Sequence, residues 1–362
     1  MRELFETLDR WRAEGQAIAL ATLVQVHGSA PRLPGARMLV AGDGRMAGSV
    51  SAGCVEGDVA TRAGRVLATG APELVRYGIA DDSELAVGLT CAEIEVLIEP
   101  WGDAPAWRTV RRALAAREPV VLVVAIAPGA TAARCAALAA DGSVTGELDG
   151  AAAEAARGML GSRAVSVLTL GDGPGAGTVF LEAFPRPERL VVHGGNHVAI
   201  VLARMAKQVG MDVTVIDARS AYLSRERFPD ADALVHAAPA KALAALDLED
   251  AAVVSLTHDL KHDVPALAAA LSGGAAYVGA MGSLRTHEKR CRALAAAGVA
   301  AADVARIRTP IGLDIGSRTP EEIAVAILAE ILAVRAGRDA RPLREHGIVH
   351  DAGRARRVRG AR

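Results

Sequence analysis

Aromatic side chains are scarce in this chain of 362 residues, since phenylalanine, tryptophan and tyrosine together make up 3% of it. Surfaces on which nucleic-acid bases stack are therefore nearly absent. An excess of either charge is also missing: 41 lysine and arginine residues face 42 aspartate and glutamate residues, so the formal net charge is −1. A nearly neutral chain offers no electrostatic basis for binding nucleic acid or an anionic membrane surface.

Cysteine is sparse as well. The chain has 4 cysteines that lie far apart and form no C-x-x-C pair: Cys54, Cys91, Cys135 and Cys291. This spacing is typical of a reducing cytoplasm and not of a disulfide framework. No apolar run reaches the length of a transmembrane helix, and the amphipathic start of the chain is unlike a signal peptide. We therefore expect a soluble cytoplasmic protein that binds neither nucleic acid nor membrane.

Apolar residues, in contrast, make up 51% of the chain, and the length indicates two domains. Pro185 and Pro187 flank an arginine, a pattern that neither continues a strand nor begins a sheet. We predict a first domain at 1–184, a linker at 185–189 and a second domain at 190–338. Residues 340–362 contain seven arginines against two acids, and we predict a basic, mobile tail at 339–362.

The first domain is predicted to be a mixed α+β domain built mainly from strands. Helices are expected at 3–11, from about 58 to 67, and at 107–116. Strands are expected at 17–26, 38–40, 46–50, 74–77, 94–98, 120–126 and 178–184. Asp141 and Gly142 predict a further hairpin, while Cys135 stands in an alanine-rich run that favours a helix.

The second domain opens on a βαβ unit of ~30 residues at 190–219. A short apolar run at 190–192 is followed by Gly194 and Gly195, by a helix with one apolar face, and by a strand that ends on Asp217. Further strands are expected at 233–236, 252–256 and 276–279, with helices between them. Strands that alternate with helices predict a Rossmann-like parallel sheet.

The turn after the first strand has the layout of a nucleotide site. Glycines there bring main-chain N–H groups and the positive end of a helix towards an anion, and Asp217 is placed to accept hydrogen bonds from a ribose diol. Asn196, however, stands where the second glycine of GxGxxG belongs, and its side chain would occupy ligand space. His197 in the first helical turn is either a neutral donor to a ligand or a structural histidine.

Two more loops follow predicted strands at the same edge of the sheet. One contains His258, which we expect to hydrogen-bond a ligand or the backbone; a zinc site with His262 would need a third ligand. The other contains Gly282 and Ser283 just before a helix, a second anion cradle with Arg285 as its countercharge. The alternative for all these loops is that tight strand–helix packing requires the glycines.

Cys54 stands at a glycine turn just ahead of a helix, in the run Ser51 to Glu56. Helix N–H groups there stabilise a thiolate, which attacks electrophiles, accepts sulfur or ligates a soft metal such as molybdenum. Glu56 opposes this effect with its own negative charge. The alternative for Cys54 is a buried, inert cysteine.

Longer motifs recur along both domains. They are RLPGAR at 32–37, GSVSAGCVE at 48–56, GGNH at 194–197, THD at 257–259, YVGAMGS at 277–283, PIGLDIG at 310–316 and TPEE at 319–322. Together they resemble the XdhC/CoxI family, accessory proteins of molybdenum hydroxylases such as xanthine dehydrogenase. The resemblance extends from about residue 5 to 338. The usual turn of the family is G-x-G-H, and this chain departs from it at Asn196.

The resemblance implies an accessory protein, more a chaperone than an enzyme, that binds the pterin of the molybdenum cofactor. Its implied partners are a cysteine desulfurase, which sulfurates the molybdenum, and the apo molybdenum hydroxylase that receives the cofactor; a homodimer is the expected assembly. The loop residues and motifs give these cofactor-binding candidates: Arg32, Gly53, Cys54, Glu56, Gly194, Gly195, Asn196, His197, Asp217, His258, Gly282, Ser283, Arg285 and Asp314. The alternative is an NAD(P)-linked oxidoreductase that uses the Asp217 pocket.

The predicted domain boundaries are testable by limited proteolysis of the purified chain. We expect the first cuts within 185–189 or after Arg338, because proteases cleave exposed linkers and tails before folded domains. Mass spectrometry of the fragments locates the cuts. Cleavage concentrated inside 190–330 at the lowest protease dose would contradict the boundaries.

Overall fold

The computed structural model describes residues 2–28, 30–78, 92–126, 135–170, 177–342 and 345. It has two units, a first that includes Met1–Arg186 and a second, Pro187–His346. Cys91 and most of the predicted tail lie outside the described residues. Within the described part of the chain, no helix is long and apolar enough to cross a membrane.

Strands dominate the first unit, as expected from the sequence. They are β1 (Ile18–Gly28), β2 (Arg37–Ala41), β3 (Met46–Gly48), β4 (Glu73–Tyr77), β5 (Ala92–Pro100), β6 (Val120–Ile126), β7 (Cys135–Ala139), β8 (Val144–Thr145), β9 (Val165–Leu170) and β10 (Gly177–Phe184). They form two five-stranded sheets in the orders β3-β2-β1-β5-β4 and β8-β7-β6-β10-β9. All the strand pairs in both sheets are antiparallel.

Helices cover these sheets: α1 (Arg2–Ala13), α2 (Glu56–Thr69), α3 (Pro105–Ala116) and α4 (Gly150–Met159). The second helix packs on β1 and β5, the third on β6 and β7, and the fourth on β6 and β10. One continuous core joins residues of both sheets, with Leu20, Leu122 and Phe180 fully buried beside Trp107. The mixed α+β prediction for this unit is therefore confirmed.

The prediction for Cys135 is wrong, because this residue begins β7 and pairs with Val124 of β6. Its alanine-rich surroundings have high helix propensity, but pairing between two neighbouring strands overrides that preference. The hairpin predicted at Asp141 and Gly142 is confirmed: β7 and β8 pair antiparallel, and Gly142 adopts a φ of 83°.

The second unit contains one parallel sheet, confirming the Rossmann-like prediction. Its strands are β11 (Arg189–His193), β12 (Asp212–Asp217), β13 (Ala233–His236), β14 (Ala252–Ser255), β15 (Tyr277–Ala280) and β16 (Ile307–Arg308). Their order, β13-β12-β11-β14-β15-β16, is that of two mononucleotide-binding halves. The first strand begins inside the stretch predicted as a linker, and the two-residue β16 was too short to be predicted from an apolar pattern.

Helices cover both faces of this sheet: α5 (His197–Gln208), α6 (Pro239–Ala244), α7 (Leu260–Ser272), α8 (Leu284–Ala296), α9 (Ala301–Val304) and α10 (Pro320–Arg335). Alternate residues of β11 enter opposite cores, Val192 with α5 and α10, Val191 with α6 and α7. The predicted start of α10 is confirmed, since Thr319 and Glu322 form a reciprocal capping box.

Candidate functional site

The candidate site of the second unit is the edge where its parallel strands end. Because all strands run the same way, the residues that follow them meet at one edge, where ligands of open α/β sheets bind. The structure thus brings one group of the sequence-predicted residues to this edge: Gly194, Gly195, Asn196, His197, Asp217, His258, Gly282, Ser283, Arg285 and Asp314.

The glycines after β11 are required by the protein's own chain. Gly194 has a φ of 102°, and a Cβ atom there would lie 2.6 Å from the Thr257 side chain. A Cβ atom on Gly195 would lie 2.6 Å from the carbonyl oxygen of Tyr222. Close packing against two neighbouring loops therefore accounts for both glycines without any ligand.

Asn196 begins α5 as its N-cap residue. Its Oδ1 accepts a hydrogen bond from the Ala199 N–H at 3.0 Å, and its Nδ2 donates to the Leu256 carbonyl oxygen at 2.7 Å. The side chain thus caps the helix and ties the turn to the loop after β14. It fills the position where the second glycine of a dinucleotide turn would admit a pyrophosphate.

Asp217 ends β12 with its carboxylate against the turn. Its Oδ2 accepts from the Gly195 N–H and from Arg219 Nη2, each at 2.9 Å, and its Oδ1 accepts from the N–H and Nε of Arg219 at 2.9 and 3.0 Å. Burial acts to raise the pKa of Asp217, but these hydrogen bonds outweigh it and lower the pKa to about 2. A carboxylate offers about four acceptor positions, so the protein itself fills those that a ribose would need.

A buried polar network lies beneath the loops after β14 and β15. At its centre, Asp263 of α7 accepts hydrogen bonds from Ser255 Oγ at 3.0 Å, from Thr257 Oγ1, and from Arg290 Nε and Nη2 at 3.2 and 2.6 Å. Asp263 and Arg290 are both completely buried. This ion pair therefore joins the strand end at Ser255 to the helix that follows β15.

His193, the last residue of β11, joins the same network. Its Nδ1 lies 3.0 Å from Ser255 Oγ. Because the Ser255 hydroxyl donates to Asp263, it accepts from His193, which fixes the imidazole as the Nδ1-protonated tautomer. Burial lowers the pKa of His193 to about 4, so this histidine is neutral at neutral pH.

The loop after β15 presents a second turn. Gly282 has a φ of 136°, and a Cβ atom there would lie 3.1 Å from Arg290 Nη1. Ser283 caps α8, accepting a hydrogen bond from the Thr286 N–H at 3.3 Å. Arg285, predicted as the countercharge of this loop, is exposed, whereas the Arg290 guanidinium is buried directly against the turn.

The remaining predicted residues of the edge lie at the surface. His197, His258 and Asp314 are exposed. His262, also exposed, lies 3.9 Å from Asp259. Among the described residues, no group of three or more histidine, cysteine, aspartate or glutamate side chains is arranged to hold a metal ion, so the zinc alternative gains no support here.

In the first unit, Glu56 organises the turn at 49–55 ahead of α2. Its carboxylate accepts hydrogen bonds from this turn, at Oε1 from Ser49 Oγ (2.6 Å), Val50 N (3.2 Å) and Ser51 N (2.8 Å), and at Oε2 from Ser51 Oγ (2.6 Å), Gly53 N (2.9 Å) and Val55 N (3.2 Å). Burial acts to raise the pKa of Glu56, but these bonds lower it from 4.5 to about 2. A carboxylate of the protein thus occupies this ring of donors, which gives Glu56 a positioning role.

Cys54 is exposed on the turn that Glu56 holds. Its N–H donates to Ser51 Oγ at 3.0 Å. The two preceding residues, Ala52 and Gly53, have φ values of 68° and 117°, and a left-handed alanine costs roughly 1–2 kcal/mol. The contacts of Glu56 offset this strain, and the thiol faces solvent on an ordered turn. Arg32, in the same unit, is also exposed.

The side chains that build the buried network were not predicted from the sequence: His193, Ser255, Asp263 and Arg290. A signal was present in α7, where Asp263 shares one helical stripe with the buried Ala266, Leu267 and Ala270. A carboxylate on an apolar stripe is rarely buried without a partner. Nothing in the sequence identifies that partner as Arg290, since the contact depends on how α7 and α8 pack.

The fold and the site define a protein with a Rossmann-like unit preceded by an antiparallel α+β unit. Residues 190–331 match the family described as the XdhC Rossmann domain, and residues 11–78 match the family described as the XdhC and CoxI family. The chain is 30% identical over 335 residues to a probable xanthine dehydrogenase subunit from Bacillus subtilis, covering 91% of this chain and 96% of that protein. The chain therefore belongs to the XdhC/CoxI family, as its motifs predicted.

Two further proteins are similar over most of their length. The molybdenum cofactor insertion chaperone PaoD of Escherichia coli is 29% identical over 322 residues, covering 89% of this chain and 84% of that protein. The crystal structure of a xanthine dehydrogenase from Bacillus halodurans superposes with a TM-score of 0.75 at 25% identity, covering 94% of this chain and 98% of that one. The likeness thus extends through both units.

The role assigned to Glu56 is testable with Glu56→Gln. Replacing one carboxylate oxygen by an NH₂ group places a donor opposite the N–H and O–H donors of the turn. We therefore expect amide hydrogen exchange across 49–55 to accelerate by roughly tenfold or more. The wild-type turn should also lose stability as the pH falls from about 4.5 towards 2, because a carboxylate with a lowered pKa stabilises the fold only while it is ionised. Glu154→Gln, on the exposed face of α4, is the control. Unchanged exchange in the Glu56 variant would contradict this role.

The Asp217→Asn variant distinguishes a structural role of Asp217 from a role in nucleotide binding. Asp217→Asn should destabilise the second unit by about 1–3 kcal/mol in urea denaturation, because donors of Gly195 and Arg219 lose an acceptor. Calorimetry should detect no NADH or NADPH binding to the wild-type protein at submillimolar concentrations. Asp314→Asn, which changes an exposed carboxylate at the same edge, should leave stability unchanged. Tight nicotinamide binding that Asp217→Asn abolishes would instead support the oxidoreductase alternative.

Proposed function

We propose that this chain binds the pterin of the molybdenum cofactor, supports sulfuration of its molybdenum together with a cysteine desulfurase, and inserts it into a xanthine dehydrogenase-type molybdenum hydroxylase. The names of two relatives support this proposal: one is a molybdenum cofactor insertion chaperone and the other a probable xanthine dehydrogenase subunit. A cytoplasmic homodimer is part of the proposal.

One observation carries the choice against a nicotinamide-dependent oxidoreductase. The polar groups of the dinucleotide pocket are paired within the protein. Arg219 and Gly195 donate to the Asp217 carboxylate, and Asn196 caps α5. In contrast, the loop after β15 keeps a buried donor, Arg290 Nη1, without a partner among the described residues. The unit thus fits an anionic ligand at a position other than the ribose site of NAD(P).

Cys54 of the first unit has suitable chemistry for contact with molybdenum or its sulfur. Cys54 is exposed on an ordered turn, and a thiolate is a soft ligand that also accepts or passes on sulfur. Glu56 fixes the backbone that presents it. The bound cofactor itself supplies the molybdenum centre that the client hydroxylase uses, so the chain needs to bind, orient and protect its cargo.

The proposal is tested on the full chain purified from a host that makes the molybdenum cofactor. We expect metal analysis to find molybdenum and the absorption spectrum to show a bound pterin, released on denaturation. Wild-type protein should also activate an apo molybdenum hydroxylase in reconstitution, and more so when a cysteine desulfurase is present. Protein that carries a nicotinamide and neither molybdenum nor pterin would overturn the proposal.

Cys54→Ser tests the role of the thiol within this function. Serine keeps the size and hydrogen bonding of cysteine but lacks its affinity for soft metals, so the melting temperature should stay nearly unchanged. We expect molybdenum retention to fall by roughly tenfold or more, the range seen when contacts that tune a metal are removed. Cys291→Ser, at a half-buried position of α8, is the matched control. Retention equal to wild type would make Cys54 an ordinary surface cysteine.

A further inference from the structure

Arg290 is the most unusual side chain of the second unit, a guanidinium with no exposed surface. It lies in the second turn of α8, and its side chain extends back towards the start of that helix, as helical side chains do. Its Nε and Nη2 donate to Asp263, and Nη2 also donates to the Met281 carbonyl oxygen at 2.6 Å. Nη1 has no hydrogen-bond partner among the described residues.

An unpaired donor on a buried charged group costs more free energy than one on an unsatisfied neutral group. Asp263 neutralises the charge of Arg290 and so makes its burial tolerable. It does not satisfy Nη1, which carries two N–H groups. The fold therefore keeps a buried donor without an acceptor among the described residues, fixed in direction by the contacts of the other two nitrogens.

Nη1 points at the turn between β15 and α8. A Cβ atom on Gly282 would lie 3.1 Å from it, so the glycine lets the main chain of the turn come close to the donor. The turn leads directly into the start of α8, where main-chain N–H groups of the first turn have no intrahelical partners. Among them, the Thr286 N–H donates to Ser283 Oγ. The Ser283 hydroxyl lies at the same place, 3.1 Å from Thr286 Oγ1.

These groups share one chemistry, because they are hydrogen-bond donors gathered around a glycine turn. We propose that Arg290 Nη1, the Gly282–Ser283 turn and the start of α8 bind a phosphate group. Tetrahedral phosphate oxygens accept from several converging donors, and guanidinium groups and helix starts are both suited to them. The assignment rests on the proposed function for one point: the phosphate is that of the pterin cofactor, either a terminal phosphate or the diphosphate of its nucleotide form.

Glycine-to-alanine variants at the two ends of α8 provide the test. In Gly282→Ala the new methyl group lies against Nη1 and displaces the turn from it, so we expect inorganic phosphate to bind at least tenfold more weakly in calorimetry of the full chain. Gly298→Ala is the matched control, because Gly298 also has a positive φ, 83°, but a Cβ atom there meets nothing within 4 Å. Its phosphate affinity should stay within about twofold of wild type.

A second measurement needs no variant and so holds if Gly282→Ala fails to fold. In wild-type protein with isotope-labelled arginine, phosphate should shift the Nη–H resonances of one slowly exchanging, buried guanidinium. Pyrophosphate that binds tighter than phosphate would identify the diphosphate form of the cofactor, and equal affinities would identify a single phosphate; both outcomes support the site.

The failures are distinguishable. Wild-type protein that retains molybdenum but binds no phosphate overturns this inference and leaves the proposed function standing. Equal weakening by Gly282→Ala and Gly298→Ala also overturns it, since backbone strain alone would then explain the loss. Protein that binds phosphate through Arg290 but never retains pterin or molybdenum overturns the proposed function and keeps the phosphate site.

Discussion

The ion pair between Asp263 and Arg290 is the contact on which the carboxyl edge of the parallel sheet depends. Both side chains are completely buried, and between them they hold the Ser255 and Thr257 hydroxyls and the Met281 carbonyl oxygen. Two loops and two helices therefore converge on one pair of charges. Because loss of either partner would leave a charge buried, at a cost of about 3–5 kcal/mol, the pair fixes the relative positions of these loops far more firmly than their exposed contacts do.

Elsewhere the hydrogen-bond donors of the loops are paired with acceptors of the protein itself. Glu56 occupies the ring of donors in the turn that carries Cys54, and Asp217 is surrounded by donors of Arg219 and Gly195. Both carboxylates ionise at low pH, since their pKa values are about 2, which is expected of groups that accept several hydrogen bonds as anions. Features that resemble ligand sites in sequence thus serve in part as internal supports that hold their own turns in place.

The local sequence pattern predicted the structure correctly where it agrees with the tertiary packing. The alternation of apolar strands and helices after residue 190 predicted the parallel sheet, and the Thr319 capping box predicted the start of α10. It failed at Cys135, where an alanine-rich segment forms a strand only because β6 and β8 lie on either side of it. The local pattern pointed to Arg285 beside Gly282, and it did not indicate that Arg290 lies against this turn. Arg285 is nearer in sequence. Arg290, in the second turn of α8, reaches the turn because its side chain points back towards the start of the helix. No linear pattern contains that geometry.

In a parallel sheet every loop at the carboxyl edge has a similar orientation, so the fold alone does not decide which loop binds a ligand. That choice depends on which loop keeps donors that the protein has not used. Around Asp217 the donors and acceptors are matched. The Asn196 side chain caps α5 and fills the space that a pyrophosphate would enter. Beside Gly282, Arg290 Nη1 has no hydrogen-bond partner among the described residues, and Gly282 has no side chain that could cover it. Under the proposed phosphate assignment, a chain with the Rossmann-like framework carries its anion site at the β15 turn and not at the β11 turn, with the same order of strands.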